Sequence, residues 1–236
     1  MATEGHCGPH PMNRPYNVTG DGGVTMAAGA SDKVVLRGLT INGQGGLYGV
    51  RVSSGKEIDI EDCHVGTLNS GGILVEGGMA THIARTVIRG IGAFGIWASP
   101  SSVANIRLTI VDSDVSDTGQ VGVHINPVVP GSVVNASATR VTSSHNISSG
   151  FGVFTNSAGT ATLAVIDSAG NDNGGTGVFV NGTNAIAIVS GSSFVGNTAF
   201  DLFVGTVSVL RTSGNNTVTG RGAADITGTL TTNSLK

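Results

Sequence analysis

The sequence predicts an all-β chain wound into a parallel β-solenoid, and three observations carry that prediction. Gly supplies 38 of 236 residues, while only 11% are charged and 4% aromatic. Lys and Glu together number seven and Leu is sparse, so the usual helix formers are missing. A Gly followed by a β-branched residue returns along the chain at spacings of 23, 23, 27, 30, 25 and 24 residues, the last copy carrying Asp in place of Gly. A helical bundle is excluded by the first two observations. Collagen is excluded because there is no Gly-X-Y period and only 6 Pro. An apolar content of 39%, placed at spaced Val and Ile positions, argues against disorder.

Taken in order, residues 1–17 hold three prolines, fall outside the repeat and read as an N-terminal cap or arm. Residues 18–220 form the solenoid. Its repeated strand reads Tyr48-Gly49-Val50-Arg51-Val52, Gly71-Gly72-Ile73-Leu74-Val75, Phe94-Gly95-Ile96-Trp97-Ala98 and Val121-Gly122-Val123-His124-Ile125. It continues as Phe151-Gly152-Val153-Phe154-Thr155, Thr176-Gly177-Val178-Phe179-Val180 and Asp201-Leu202-Phe203-Val204. A second alternating segment precedes each copy, as at Ile58-Asp59-Ile60 and Leu163-Ala164-Val165, and turn residues such as Asn42-Gly43-Gln44-Gly45-Gly46 lie between. One unit of this kind cannot bury its own apolar face. Stacked units with parallel strands about 4.8 Å apart bury a continuous core. Residues 221–236 lose the signature and read as a fading last rung, cap and tail.

The stretch DKVVLRGLTINGQGG (32–46), the G-[IV]-x-[VI] strands and the late SGNNTVTG together resemble bacterial right-handed parallel β-helix proteins of the pectate-lyase-like superfamily. The resemblance covers residues 18–236. It implies a single-stranded right-handed parallel β-helix of about eight coils with N- and C-terminal caps. It also implies an extracytoplasmic setting, although the first 30 residues contain no signal-peptide core. That superfamily spans polysaccharide lyases, hydrolases, epimerases, surface proteins and copper-delivery relatives. No lyase or hydrolase active-site motif stands in this chain.

Stacking turns sequence columns into neighbours. In each repeated strand the second residue after Gly points outward, giving the column Arg51, Leu74, Trp97, His124, Phe154, Phe179 and Phe203. Four of the chain's ten aromatics stand in this exterior stripe. Three readings are open: a partner subunit covers it, the chain's own segments cover it, or it is a sugar-stacking platform. On the other strand, Asp62, Arg85, Asp112, Arg140 and Asp167 fall in register and alternate in sign. They read either as a structural ion-pair ladder or as a catalytic row. The inward residues beside them, Cys63, Thr86, Ser113 and Ser168, suggest a small-polar interior stack with a buried thiol.

Candidate chemistry divides into three sets. Asp59 and Glu61 should share one side of a strand, so with Asp62 and Arg85 they form a candidate general acid/base face for an acidic polysaccharide. His6, Cys7 and His10, with Met12 nearby, are soft and borderline ligands that suit copper or zinc, though their spacing matches no standard zinc motif. Calcium is open to the carboxylates, but no cofactor is required by the sequence. A net charge of -3 lacks the basic footprint of nucleic-acid binding, and no apolar run approaches a membrane span. The leading expectation is a non-catalytic surface or interaction protein that self-associates or docks a partner through the aromatic stripe. A polysaccharide lyase, hydrolase or binder is the alternative, and metal handling a weaker one.

Overall fold

The computed structural model describes residues 16–17, 23–156, 159–220 and 225–232. It is a parallel β-solenoid of about eight coils. Every strand pair is parallel, and no helix occurs among the described residues. Each coil visits three faces in turn. Face 1 is a narrow sheet of five strands, from Tyr16–Asn17 to Asp114–Thr118, extended by isolated bridges through Thr142, Ala169 and Ser193. Face 2 is nine-stranded and holds the repeated strands from Val24–Ala27 to Ile226–Thr227. Face 3 is also nine-stranded, from Lys33–Arg37 to Leu230–Thr232.

The core is built from inward columns that run the length of the stack. On face 2, Val50, Ile73, Ile96, Val123, Phe151, Val178 and Leu202 stand in register, each almost completely buried. On face 3, Ile60, Ile83, Ile110, Ala138, Val165 and Val189 do the same. Burying a Val or Ile side chain contributes roughly 1.5–3 kcal/mol, so alternating β-branched residues define the coil.

The repeated Gly has a steric cause. It sits where the chain bends from face 1 into face 2, and there its own Cα and the next residue both face the core. A Cβ on Gly72 would lie 2.5 Å from Ile88 Cγ2, and one on Gly95 would run into Val115. Only hydrogen fits, and the backbone angles at both positions are ordinary ones.

This rule corrects the alignment of the fifth copy. Val121 pairs with Ser149 and His124 with Gly152, so the corner glycine is Gly150, not Gly152. The neighbouring spacings become 28 and 27 instead of 30 and 25. The physical reason is Phe151. With Gly150 at the corner, its ring enters the core and, like Phe194, is fully buried; both rings lie beside Gly170. Phe154 therefore leaves the outward column predicted for it. It stands two residues further along, in register with Asn181.

Two interior hydrogen-bond columns complete the coil. The small-polar stack is present: Thr86 Oγ1 accepts from Cys63 N–H, Ser113 Oγ from Thr86 N–H, and Ser192 Oγ from Ser168 N–H. Cys63 is a buried free thiol, and burial pushes its pKa up. A second column was not anticipated. Asn146 donates to Asn173 at 3.0 Å, Asn173 to Asn197 at 3.0 Å, and Asn197 to Asp201 at 2.7 Å, all four being fully buried. Asp201, the residue replacing the seventh Gly, ends this ladder.

At both ends the described residues pair as strands. Tyr16–Asn17 already pairs in parallel with Ile41–Asn42, and 226–227 and 230–232 add strands to faces 2 and 3. Residues 1–15, 221–224 and 233–236 of the expected caps lie outside the described residues, His6, Cys7 and His10 among them.

Candidate functional site

The exterior of face 2 carries the aromatic residues. Its central column reads Arg51, Leu74, Trp97, His124, Gly152, Phe179 and Phe203 in register. Phe94 and Phe200 flank it three residues before Trp97 and Phe203, and Phe154 flanks it two residues after Gly152. The expected stripe is less open than predicted. Leu74 is only 3% exposed and His124 9%, while Trp97, Phe154, Phe179 and Phe203 are half-buried. Outward-pointing side chains one strand spacing apart cover one another. The rings show it: Phe94 stacks on His124 at 4.7 Å and tilts against Trp97 at 4.8 Å. Phe179 stacks on Phe203 at 5.0 Å, with Phe200 against Phe203 at 5.9 Å.

The face is nearly free of charge. The Arg51–Glu76 ion pair closes its N-terminal side. Among the described residues His124 is the one titratable group on the middle of this exterior, and burial lowers its pKa to about 4, so it is neutral at pH 7. Trp97 Nε1, His124 Nδ1 and Asn126 Oδ1 are buried without a hydrogen-bond partner among the described residues. Loops joining face 2 to face 3 rim the surface and expose Val103 at 71%, Val128 at 40% and Val207 at 60%.

The alternating charged row lies at the turn from face 3 into face 1. Asp62, Arg85, Asp112, Arg140 and Asp167 all have positive φ, between 47° and 54°. Gly38 and Gly191 occupy the same corner, with φ 69° and 61°. Asp and Gly are at home there, whereas Arg is not. Each Arg is held by the Asp one coil earlier: Arg85 Nε to Asp62 at 2.7 Å, Arg140 Nε to Asp112 at 2.6 Å. The guanidinium hydrogen bonds keep Asp62 and Asp112 below the usual carboxylate range and raise both arginines.

Asp59 and Glu61 do project from the same side of one strand, as expected. Lys33 bridges Asp59 and Glu57, and Arg37 and Arg85 both bind Glu61. The Lys33 hydrogen bond also holds Glu57 low. These carboxylates form one wall of a groove of about 540 Å³ on face 3. Its floor carries His82, in register between Asp59 and Thr109, and its far wall carries Arg107. His82 and Arg107 were not singled out from the sequence, because only the register makes them neighbours of Asp59. Arg107 and Lys56 form no ion pair among the described residues. No group of three His, Cys, Asp or Glu side chains that could hold a metal occurs among the described residues. No helix long and apolar enough to cross a membrane occurs among the described residues.

A family model described as the right-handed β-helix region matches residues 16–160, more than half of the chain. The chain belongs to the right-handed β-helix family. The match takes in Trp97, His124 and both Asp–Arg pairs, while Phe179 and Phe203 lie beyond it. No curated protein and no solved structure matches this β-helix. Fold and membership are thereby established together, and the three faces give the β-helix its candidate surfaces.

Proposed function

We propose that this β-helix is a non-catalytic interaction protein that self-associates through the exterior of face 2. The observation that carries the reading is a row of half-buried rings on a surface almost without charge, rimmed by exposed Val103, Val128 and Val207. Removing such a surface from water is favourable at about 25 cal/mol per Å² of apolar area, and a face without charge pays no penalty for burying ions. The charged groups favour a structural role elsewhere. Asp59, Glu61 and Asp62 are each engaged in an ion pair by Lys33, Arg37 or Arg85, and the Arg85 hydrogen bond lowers the Asp62 pKa, whereas a general acid needs its proton near neutral pH.

Sedimentation analysis over a range of concentrations tests the reading. The wild type should gain mass with concentration. Phe154→Ser combined with Phe179→Ser should stay monomeric and still unfold cooperatively, with a midpoint lowered by the lost Phe179–Phe203 stack. A wild type that remains monomeric throughout rules the reading out.

The face 3 groove supports a second reading, a binder or enzyme for acidic polysaccharide. Lys56 and Arg107 leave positive charge there not offset by an ion pair among the described residues, and Asp59, Glu61, Asp62 and Arg85 stand beside it. A polysaccharide panel read for retention and for new chain ends tests this. Retention that Arg107→Ala abolishes supports binding, and neither retention nor cleavage on any member removes the reading for those substrates.

A further inference from the structure

The side chains on face 2 repeat in mirrored order about one strand. Gly152 is the midpoint of the five rungs of the outward column from Trp97 to Phe203. One rung away stand His124 on one side and Phe179 on the other; two rungs away stand Trp97 and Phe203. Trp97 has its ring partner Phe94 three residues earlier, and Phe203 has Phe200 at the same offset. Two residues after His124 comes Asn126, and two after Phe179 comes Asn181. Phe154, two residues after Gly152, has no counterpart except itself.

A surface that must bury itself against its own copy across a two-fold axis has to be self-complementary about that axis. We infer that two copies pack face 2 to face 2 in antiparallel fashion, around a two-fold axis running along strand Ser149–Phe154. This rests on the self-association reading above and adds its geometry. The axis lies in the plane of the interface, so the columns are kept while the coil order is reversed. Trp97 of one copy then meets Phe203 of the other, Phe94 meets Phe200, and His124 meets Phe179. Asn126 comes opposite Asn181. Phe154 meets Phe154 at the axis.

Size and chemistry fit a second copy. Five rungs at about 4.8 Å and strands of five or six residues at about 3.3 Å each give roughly 450 Å² per copy before the loops are added. Doubled, that is about 900 Å² in total, below the roughly 1,200 Å² at which stable specific interfaces begin, so the dimer is a weak one that should dissociate on dilution. Of the Arg51–Glu76 pair, Glu76 stands on the Leu74 rung and Arg51 one rung beyond it, both outside the mirrored set.

Cross-linking reads the geometry. In a Cys7→Ser background, with Cys63 buried, single cysteines are joined by a bismaleimide spanning about 10 Å, the spacing of face-packed sheets. Phe154→Cys should cross-link to its own copy. Trp97→Cys alone and Phe203→Cys alone should not, while a mixture of the two should give the mixed dimer. If Trp97→Cys does not fold, judged by its unfolding midpoint, Phe94→Cys with Phe200→Cys forms the same diagnostic pair. A wild-type dimer in which Trp97→Cys cross-links to itself, or in which no mixed dimer forms, overturns the antiparallel geometry alone. A wild type that is monomeric at every concentration overturns both the geometry and the self-association reading.

Discussion

His124→Leu should make the protein more resistant to acid. The imidazole is 9% exposed, packed under Phe94 and between the Trp97 and Gly152 rungs, with Nδ1 unpartnered among the described residues. Burial lowers its pKa from 6.5 to about 4. A His whose folded pKa is depressed takes up a proton less readily folded than unfolded. Its contribution is therefore full above pH 6.5, shrinks as pH falls, and is gone below about pH 4. At about 1.4 kcal/mol per unit, the depression corresponds to roughly 3 kcal/mol over that window. Leu is a fitting replacement because Leu74 fills the same column two rungs earlier. Losing the ring stack on Phe94 costs about 0.5–1.5 kcal/mol at every pH, so the readout is how the wild-type-to-variant difference changes. Urea unfolding at pH 7, 5.5 and 4, in dilute solution, supplies it. The carboxylates titrate alike in both proteins and cancel. The difference should move by about 3 kcal/mol in favour of the variant between pH 7 and pH 4. Curves that stay parallel, or an imidazole titrating near 6.5 by NMR, would refute the reasoning.

Asp201→Asn should raise the thermal midpoint at pH 7. Burial raises the Asp201 pKa, and its Oδ2 is a buried atom without a partner among the described residues. An acid with a raised folded pKa stabilises fully below its unfolded pKa, and that contribution is lost as pH rises through the folded value. Wild-type stability should therefore decline with pH where the variant's does not, and identical pH profiles would count against it. Gly95→Ala should cost about 1–3 kcal/mol by urea unfolding, because its Cβ meets the Val115 side chain and the Gly122 carbonyl; a neutral result would show that the corner is not close-packed. Asn173→Leu should cost about 1–3 kcal/mol, since it removes the buried side-chain partner that Asn173 gives to each of Asn146 and Asn197. An unchanged midpoint would mean the amide ladder carries no stability.

The coil was legible because its cause is local. Val and Ile must alternate to fill the inward columns, and a corner Gly must recur where Cβ cannot fit. The Asp62–Arg85 and Asp112–Arg140 pairs were legible for a related reason, as stacking brings residues one coil apart within reach. Three features escaped. Ser149-Gly150-Phe151-Gly152 offers two glycines for one corner, and only the burial of Phe151 decides between them. The Asn146, Asn173 and Asn197 ladder is spaced 27 and 24 residues apart, a signal hidden because each Asn also sits among turn residues. Outward direction was read correctly for Leu74 and His124, but exposure was not. Whether an outward side chain meets water depends on the size of its neighbours one rung away, and that is a property of the stack.

Trp97 is the chain's only Trp and stands half-buried in the proposed interface, so its accessibility to acrylamide tests the central claim most directly. Quenching should weaken as protein concentration carries the wild type from monomer to dimer, and should stay constant in the Phe154→Ser, Phe179→Ser variant. Quenching that does not change while the wild type gains mass would place the interface elsewhere and contradict the account.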